Sequence, residues 1–553
     1  MKQTSIAAFT FILAVIFFSN LPLLYAKTFT VGKDEKYTSI QAVFDQEDLE
    51  PGDTIEVQRG VYHEQVVWGS DDDGDSTAYV TLMAKPNERV IITGDRTREY
   101  CIRLADRHYC RIIGIECIQA LHGISIYKGD HYYIRNCTSH DHDQTLGTYA
   151  VGIRISGVSH AIVNKCRVYD VAWNGIKINA EEGCGDSTDF TIEKCDVSAG
   201  HTSIDLRSST NCALQNITIR RNKLHGKAGI YTENTTLKNV SDIKIYYNLF
   251  ATCKGAHIAT QTRPGDTSNP FTLWKIYNNT FDKSGTETGN SHLEFLSGLT
   301  NSEIKNNIFS RANYSNINGQ TKSIRFSNDV TNLVLDYNCY YSLYTENDNL
   351  INWNGTAYKT LSAFNAATGQ EPHGIEQNPL LKSNYKLSPQ SSCIDKGIIL
   401  SIHTGKFRDY IGTKKIYGDA PDIGCIETRV KSSWFWGILP WSNNQRFQRI
   451  HSVTLQWDRN PDVDPNTGAR TTGYNLYYSH NHDNLSSGNF DYGKNTSVKV
   501  NQHVIPQPID DSNTVTYTWR HVPSGNYYFV CTAYDKSTNK ESTPSNIVHK
   551  TIK

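Results

Sequence analysis

Charge of one sign is missing from this chain: Lys+Arg 55 stand against Asp+Glu 56, a formal net charge of -1 over 553 residues. No overall field draws it to nucleic acid or to an anionic membrane, and neither is expected as a partner. Beyond residue 26 no apolar run approaches the ~18 residues that a bilayer-spanning helix needs, so no transmembrane segment is expected there. Proline (16) is too scarce for a disordered or collagenous chain, and methionine is nearly absent (2). The 13 cysteines are odd in number and irregularly spaced, a poor disulfide framework for so long a chain. What is present is an ordered, polar-surfaced composition rich in tyrosine (32), which favours a surface that handles sugars or peptides. At roughly 100 to 200 residues per domain there is room for two to four domains.

Residues 1–26 carry Lys2, an apolar run from Ile6 to Phe18, and Ala26. This pattern reads as a Sec signal peptide cleaved after Ala26, the run being too short to span a bilayer. The expected location is therefore secreted, periplasmic or cell-surface. The first cysteine is Cys101, so no lipid-anchor cysteine lies near the cleavage point.

A phrase of the form small-Ile-x-Ile recurs through the middle of the chain. It occurs at Gly123-Ile124-Ser125-Ile126, Gly152-Ile153-Arg154-Ile155, Gly175-Ile176-Lys177-Ile178, Ser203-Ile204-Asp205-Leu206 and Gly229-Ile230-Tyr231-Thr232, with weaker copies at His257, His292 and Ser323. Intervals of 23 to 35 residues suit one coil of a parallel β-solenoid with loops of variable length. The period within each phrase is two, so branched residues point inward and their neighbours outward. A second phrase ends in Cys137, Cys166 and Cys195, and later in Asn222, Asn248, Asn279, Asn307 and Asn338. Asparagine at an inward turn can hydrogen-bond its copies one coil away, and cysteine fills the same slot as a small hydrophobe. The three cysteines are expected to be stacked, reduced core thiols.

On these phrases the chain resembles the right-handed parallel β-helix superfamily, which includes many secreted polysaccharide lyases and glycoside hydrolases. Pro51-Gly52-Asp53-Thr54-Ile55 near the start, and Asn378-Pro379-Leu380 and Pro421-Asp422-Ile423-Gly424 near the end, extend the likeness over residues 27–427. The resemblance implies an all-β fold and carries no single activity, because one such fold hosts several reactions. Residues 428–449 hold Trp434-Phe435-Trp436 and Trp441 and read as a Trp-rich linker. Residues 450–553 show alternating strands around Trp457, Tyr474 and Tyr527, similar to an immunoglobulin-like fibronectin type III sandwich.

In a solenoid, outward residues of successive coils stack about 4.8 Å apart into columns. One column reads Arg103, Ser125, Arg154, Lys177, Asp205, Tyr231, Ala259, Glu294, Arg325; a second reads Tyr127, Ser156, Asn179, Arg207, Glu233, Gln261, Leu296, Ser327. The glycines before the first column suggest a low wall beside a charged floor, a groove for an extended polymer. Eliminative cleavage of a uronic acid chain needs cations for the sugar carboxylate, a base for the adjacent C–H and a donor for the leaving oxygen. Lys177, Arg207 and Tyr231 are the candidate catalytic residues. Arg154, Asn179, His201, His225, Lys227, Gln261 and Glu294 are the candidate substrate contacts. Asp205 and Glu233 are oxygen donors that could hold Ca²⁺, or could form the carboxyl pair of a glycoside hydrolase.

The expected partner is thus an acidic polysaccharide, acted on by a monomer. The alternatives are hydrolysis by Asp205 and Glu233, and a non-catalytic carbohydrate-binding or structural β-helix in which the same charges form exposed ion pairs that merely solvate the sheet. The Asp71-Asp72-Asp73-Gly74-Asp75 string resembles a calcium loop, but its glycine comes too early for the standard pattern, which favours a solvated loop.

Overall fold

The computed structural model describes residues 26–429 apart from 146–148, 210, 235–239, 263–270, 286–290, 313–320, 327–329, 343–348 and 405–406. Beyond them it describes chiefly 451–458, 473–480, 514–522, 525–535 and 548–552, with shorter pieces between. The signal-peptide reading and the Trp434–Trp441 cluster lie outside the described residues. The chain divides into two compact units, Met1–Ser432 and Ser433–Lys553.

The first unit is a parallel β-solenoid whose coils contribute to one long and one shorter sheet. Ile124 pairs with Ile153, Ile153 with Ile176, Ile176 with Ile204 and Ile204 with Ile230, and all five are fully buried. Stacking like on like gives each isoleucine the burial worth ~1.5–3 kcal/mol per side chain. It also makes each coil depend on its two neighbours.

Between the long sheet and the shorter one the chain turns through a residue of positive φ, at Asn136, Lys165, Lys194, Arg221, Tyr247, Asn278 and Asn306. The residue that follows each of these occupies the predicted ladder. Asn222 Nδ2, Asn248 Nδ2 and Asn279 Nδ2 each donate at 3.0 Å to the Oδ1 of the next asparagine, which also accepts the backbone N–H of the one before at 2.9 Å. Cys137, Cys166 and Cys195 precede them in the stack, buried, and Cys195 N donates to Asn222 Oδ1 at 2.9 Å. The far end is closed by Glu371, which accepts from Asn338 Nδ2 and Tyr340 Oη at 2.6 Å. All thirteen cysteines are free thiols. Alkylation of unfolded, unreduced protein is expected to modify Cys137, Cys166 and Cys195; a disulfide found among them by mass spectrometry would overturn the ladder.

The glycine column is not a wall of the groove. It sits at the corner where the coil enters the long sheet. A Cβ at Gly123 would collide with Ser139, at Gly152 with Val168 and at Gly175 with Val197, all side chains of the shorter sheet. Close approach inside the core, not openness outside, requires glycine there. His257 and His292 continue this column inside the core, with rings 4.9 Å apart and Nδ1 atoms hydrogen-bonded at 2.9 Å. Burial holds His257 down at about 3 and His292 well below the ordinary histidine range. Both stay neutral when folded, so their contribution is complete above pH ~6.5 and is lost as pH falls from there toward 3. The thermal midpoint is expected to drop between pH 7 and pH 4, and to drop less in the double variant His257→Phe, His292→Phe. Equal pH dependence in both proteins would remove the pair as the cause.

Coil-to-coil ladders end at Ile375–Glu376. Among its described residues the stretch from 377 to 429, read from sequence as solenoid to 427, adds no further rung to either sheet and runs back over the turn column. Asn278 Nδ2 donates to Asp422 O at 3.0 Å, Asn306 Nδ2 to Ile398 O at 2.8 Å, and Cys425 N to Thr280 Oγ1 at 3.1 Å. Three carboxylates of the Asp71–Asp75 string are spent on backbone donors. Asp72 accepts from Leu49 N, Asp73 from His108 N, and Asp75 from Thr77 and Ala78 N.

The second unit is a small antiparallel β unit. His451–Asp458 pairs with Thr514–Val522, and Gly473–Ser479 with Gly525–Asp535, which also pairs with Val548–Ile552. Tyr474, Leu476, Val515, Tyr527 and Phe529 form its core.

Candidate active site

Both outward columns form as read from the sequence, one residue per coil, from Arg103 through to Arg325 and from Tyr127 through to Gln261. Leu296 follows the last paired residue of the strand Leu293–Phe295, and its N–H still donates to Thr260 O at 3.2 Å, which keeps it in register beside Gln261. Ser327 lies outside the described residues.

Asp205 stands at the centre and is fully buried, which separates this patch from exposed ion pairs that only solvate a sheet. Its Oδ2 accepts from Asn174 Nδ2 at 2.7 Å and Arg207 Nε at 2.9 Å, with Lys177 Nζ 4.0 Å away, while Oδ1 has no hydrogen-bond partner among the described residues. Burial raises the Asp205 pKa, against the pull of Arg207 and Lys177. Arg207 reaches on to Glu233, Nη1 to Oε2 at 3.0 Å. Lys177, Asp205, Arg207 and Glu233 thus form one continuous chain of charge over three coils.

Lys177 keeps only 17% of its side chain exposed. Burial lowers its pKa; Asp205 works against this, and Arg207 and Arg154 add to it. Tyr231 stands beside Asp205 in register. Burial and then the Glu233 charge push its hydroxyl up to about 12, and it donates to Gln261 Oε1 at 3.0 Å. His201 stacks on Trp173 at 4.3 Å and meets Tyr231 edge-on at 6.0 Å. Burial, then Lys227, Arg207 and Lys177, bring it down to about 4, so it is neutral at pH 7. At the rim Arg154 Nη2 lies 3.2 Å from Glu181, its guanidinium over Tyr127 at 4.9 Å, and Asn179 Nδ2 donates to Ser156 Oγ at 3.3 Å.

Not every candidate joins this group. His225 lies on Lys223–Gly226 of the shorter sheet and binds Asp196 at 2.8 Å. Glu294 is two coils beyond Tyr231, nearly buried, and accepts the backbone N–H of Ser291. Lys227 follows the His225 strand and bears on the patch through its charge on His201. Asn174, Trp173 and Glu181 were missed. Asn174 had a signal, an amide in register with Val151 on one side and Thr202 on the other, one residue before the glycine of its phrase.

Asp205 and Glu233 do not fit a calcium site in this arrangement. Both are turned onto Arg207, a cation already, and among the described residues no three acidic, histidine or cysteine side chains are placed to share an ion. The pair suits the orienting of a guanidinium better than the chelation of a metal.

Residues 89–234 and 151–336 match the family described as right handed beta helix region. No curated protein matches the chain. Among solved structures, similarity is found to the GH136 lacto-N-biosidase from Eubacterium ramulus, at 13% identity and TM-score 0.38 over 60% of this chain and 66% of that one, just under two thirds of its length. The polygalacturonase from Erwinia carotovora ssp. carotovora matches at 10% identity and TM-score 0.32, over 59% of this chain and 97% of that one. The alginate lyase from Paenibacillus sp. str. FPU-7 matches at 14% identity and TM-score 0.29, over 59% and 99%. The solenoid of this protein is therefore a right-handed parallel β-helix, of the kind that the matched family describes.

Proposed function

We propose that this protein is a polysaccharide-acting enzyme that cleaves a uronic-acid-containing chain by β-elimination. A polygalacturonase and an alginate lyase both occur among the similar structures, so the choice rests on the patch itself. The observation that carries it is Lys177, largely buried and depressed in pKa, set between Arg154 and Arg207 on one face. Arg207, with Arg154 beside it, neutralises the sugar carboxylate and so acidifies the adjacent C–H. The Lys177 amine takes that proton, the C–H electron pair becomes the new C=C bond, and the neighbouring C–O bond breaks. Tyr231, protonated at neutral pH, gives its proton to the leaving oxygen. Asp205 holds Arg207 and Lys177 in place.

Hydrolysis is the weaker reading. It needs two accessible carboxyl groups, and Asp205 is buried and hydrogen-bonded, which leaves Glu233 alone. Export by the N-terminal segment, a monomeric state and a fibronectin-like C-terminal unit belong to the same proposal. The test is incubation of the full chain with a panel of acidic and neutral polysaccharides, read by ultraviolet absorbance of unsaturated ends and by reducing sugar. Both signals together support elimination, reducing ends alone mean hydrolysis, and neither signal on any polymer favours a binding protein.

A further inference from the structure

The first outward column continues past the patch toward the N-terminal coils, through Arg154 and Ser125 to Arg103. On the coil before, Val67 stands in register with Arg103, exposed and apolar, and ends the polar track. Arg103 differs from the other cations of the patch. Lys177 and Arg207 face Asp205 and Glu233, and Arg154 faces Glu181. Arg103 is exposed and has no carboxylate partner among the described residues. Its guanidinium is instead held against two rings, 5.5 Å from the centroid of Tyr100 and 6.0 Å from that of Tyr127, which meet edge to face at 6.5 Å. The Tyr100 hydroxyl is tied to Glu99 at 2.6 Å, which fixes that ring. Aromatic contact orders a guanidinium without using its N–H donors, so a carboxylate can be bound with little further loss of rotamer freedom.

The opposite direction offers nothing comparable. Beyond Tyr231 the column reads Ala259 and Glu294, and the next cation, Arg325, lies in register with Glu294. Along the first column, and among the described residues, the one cation beyond the patch that faces no carboxylate is therefore Arg103, on the N-terminal side. Coils repeat at about 4.8 Å, so Arg103 and Arg154, two coils apart, are separated by about 10 Å along the axis. An extended 1,4-linked pyranose chain advances by about one coil per unit and turns alternate units to opposite sides. Between the two arginines stands Ser125, short, uncharged and fully buried, which offers no charge to the unit that faces away.

We propose that Arg103 is a substrate-binding residue that takes the carboxylate of a uronate unit upstream of the patch, with the acidic polymer lying along the solenoid axis at one sugar per coil from Arg103 to Lys177. This rests on the reading of the patch as a uronan-acting site. The bound stretch on that side is four units, one each at Arg103, Ser125, Arg154 and Lys177, and the carboxylate beside the reacting C–H is that of the unit at Arg154, shared with Arg207.

The test separates binding from turnover. Alginate and polygalacturonate, as polymers and as size-fractionated oligomers, are titrated calorimetrically into Lys177→Ala and into the same protein carrying Arg103→Gln or Arg325→Gln. Arg103→Gln is expected to weaken tetramers and longer chains of the bound uronan about tenfold, to leave dimers unchanged and to flatten the salt dependence. In the otherwise wild-type chain it should raise KM with kcat unchanged. Arg325→Gln should change none of these. Equal affinity with and without Arg103 for a uronan that is bound and cleaved would overturn this inference and leave the lyase reading standing. An equal loss on a neutral polymer would overturn it too, by showing a structural role. Arg103-dependent binding with no cleavage would keep the inference and sink the catalytic reading, and no binding to any uronan would overturn both.

Discussion

Lys177→Ala is expected to lose two or more powers of ten in turnover on the uronan that the polysaccharide panel identifies, and Arg207→Ala to lose as much. Arg207→Ala removes charge stabilisation of about 3 kcal/mol that exists only while the carbanion-like transition state is forming, and Lys177→Ala removes the base that takes the proton. The fold should survive both, checked by the thermal midpoint. Without Lys177, Asp205 keeps Asn174 and Arg207; without Arg207 it keeps Asn174 and the nearby Lys177. The pH profile carries a second signature. The base must be unprotonated, so activity rises with pH through the lowered pKa of Lys177. The Asp205 charge raises that pKa, so the acid limb in Asp205→Asn should move to lower pH. Wild-type turnover in Lys177→Ala would place the chemistry elsewhere. If Asp205→Asn and Glu233→Gln abolish activity while Lys177→Ala keeps it, the hydrolase reading replaces this one. Rescue of either carboxylate variant by excess Ca²⁺ would instead favour metal-assisted elimination.

Asn279→Ala is expected to cost about 3 kcal/mol or more, a large effect for one uncharged side chain. Its amide accepts from Asn248 N and Asn248 Nδ2 and donates to Ile245 O and Asn307 Oδ1. Truncation leaves a buried N–H and a buried carbonyl without partners, each worth ~1–3 kcal/mol. Asn301→Ala removes a single exposed amide contact, with Asn332 Nδ2 at 3.1 Å, and puts alanine at a left-handed φ of 48°, so its loss should stay within about 1–2 kcal/mol. Asn279→Cys should fall between, since a thiol fills this slot at Cys137, Cys166 and Cys195. Denaturant midpoints measure all three; equal losses in Asn279→Ala and Asn301→Ala would show that the ladder contributes nothing beyond its surface copies.

Coil register was fully legible, because Ile124, Ile153, Ile176, Ile204 and Ile230 repeat with a period of two and only one face of a strand can be buried. The outward columns followed from it. The corner was not legible. Alternation alone puts Gly123 outside, whereas the bend between the two sheets turns that position onto Ser139. The burial of Asp205 was hidden for a similar reason. It occupies an outward position but is covered sideways by Asn174, Lys177 and Arg207, neighbours from its own and the adjoining coil. His225 was misplaced because nearness in the chain does not say which sheet a residue faces; its strand belongs to the shorter one.

The segment that runs back from residue 377 changes the order in which this molecule can be assembled and dismantled. A solenoid whose coils touch only adjacent coils can grow from its first rung while the chain is still being synthesised, and can fray from its last. Here Asn278 must wait for Asp422, 144 positions later in the chain. Closing so long a span is slow relative to adding one rung, so the early coils can be complete before the late ones are locked. Once locked, the rungs around Asn278 and Asn306 cannot peel away one at a time. They open together with the returning segment, which turns the free end of a linear stack into a single cooperative block.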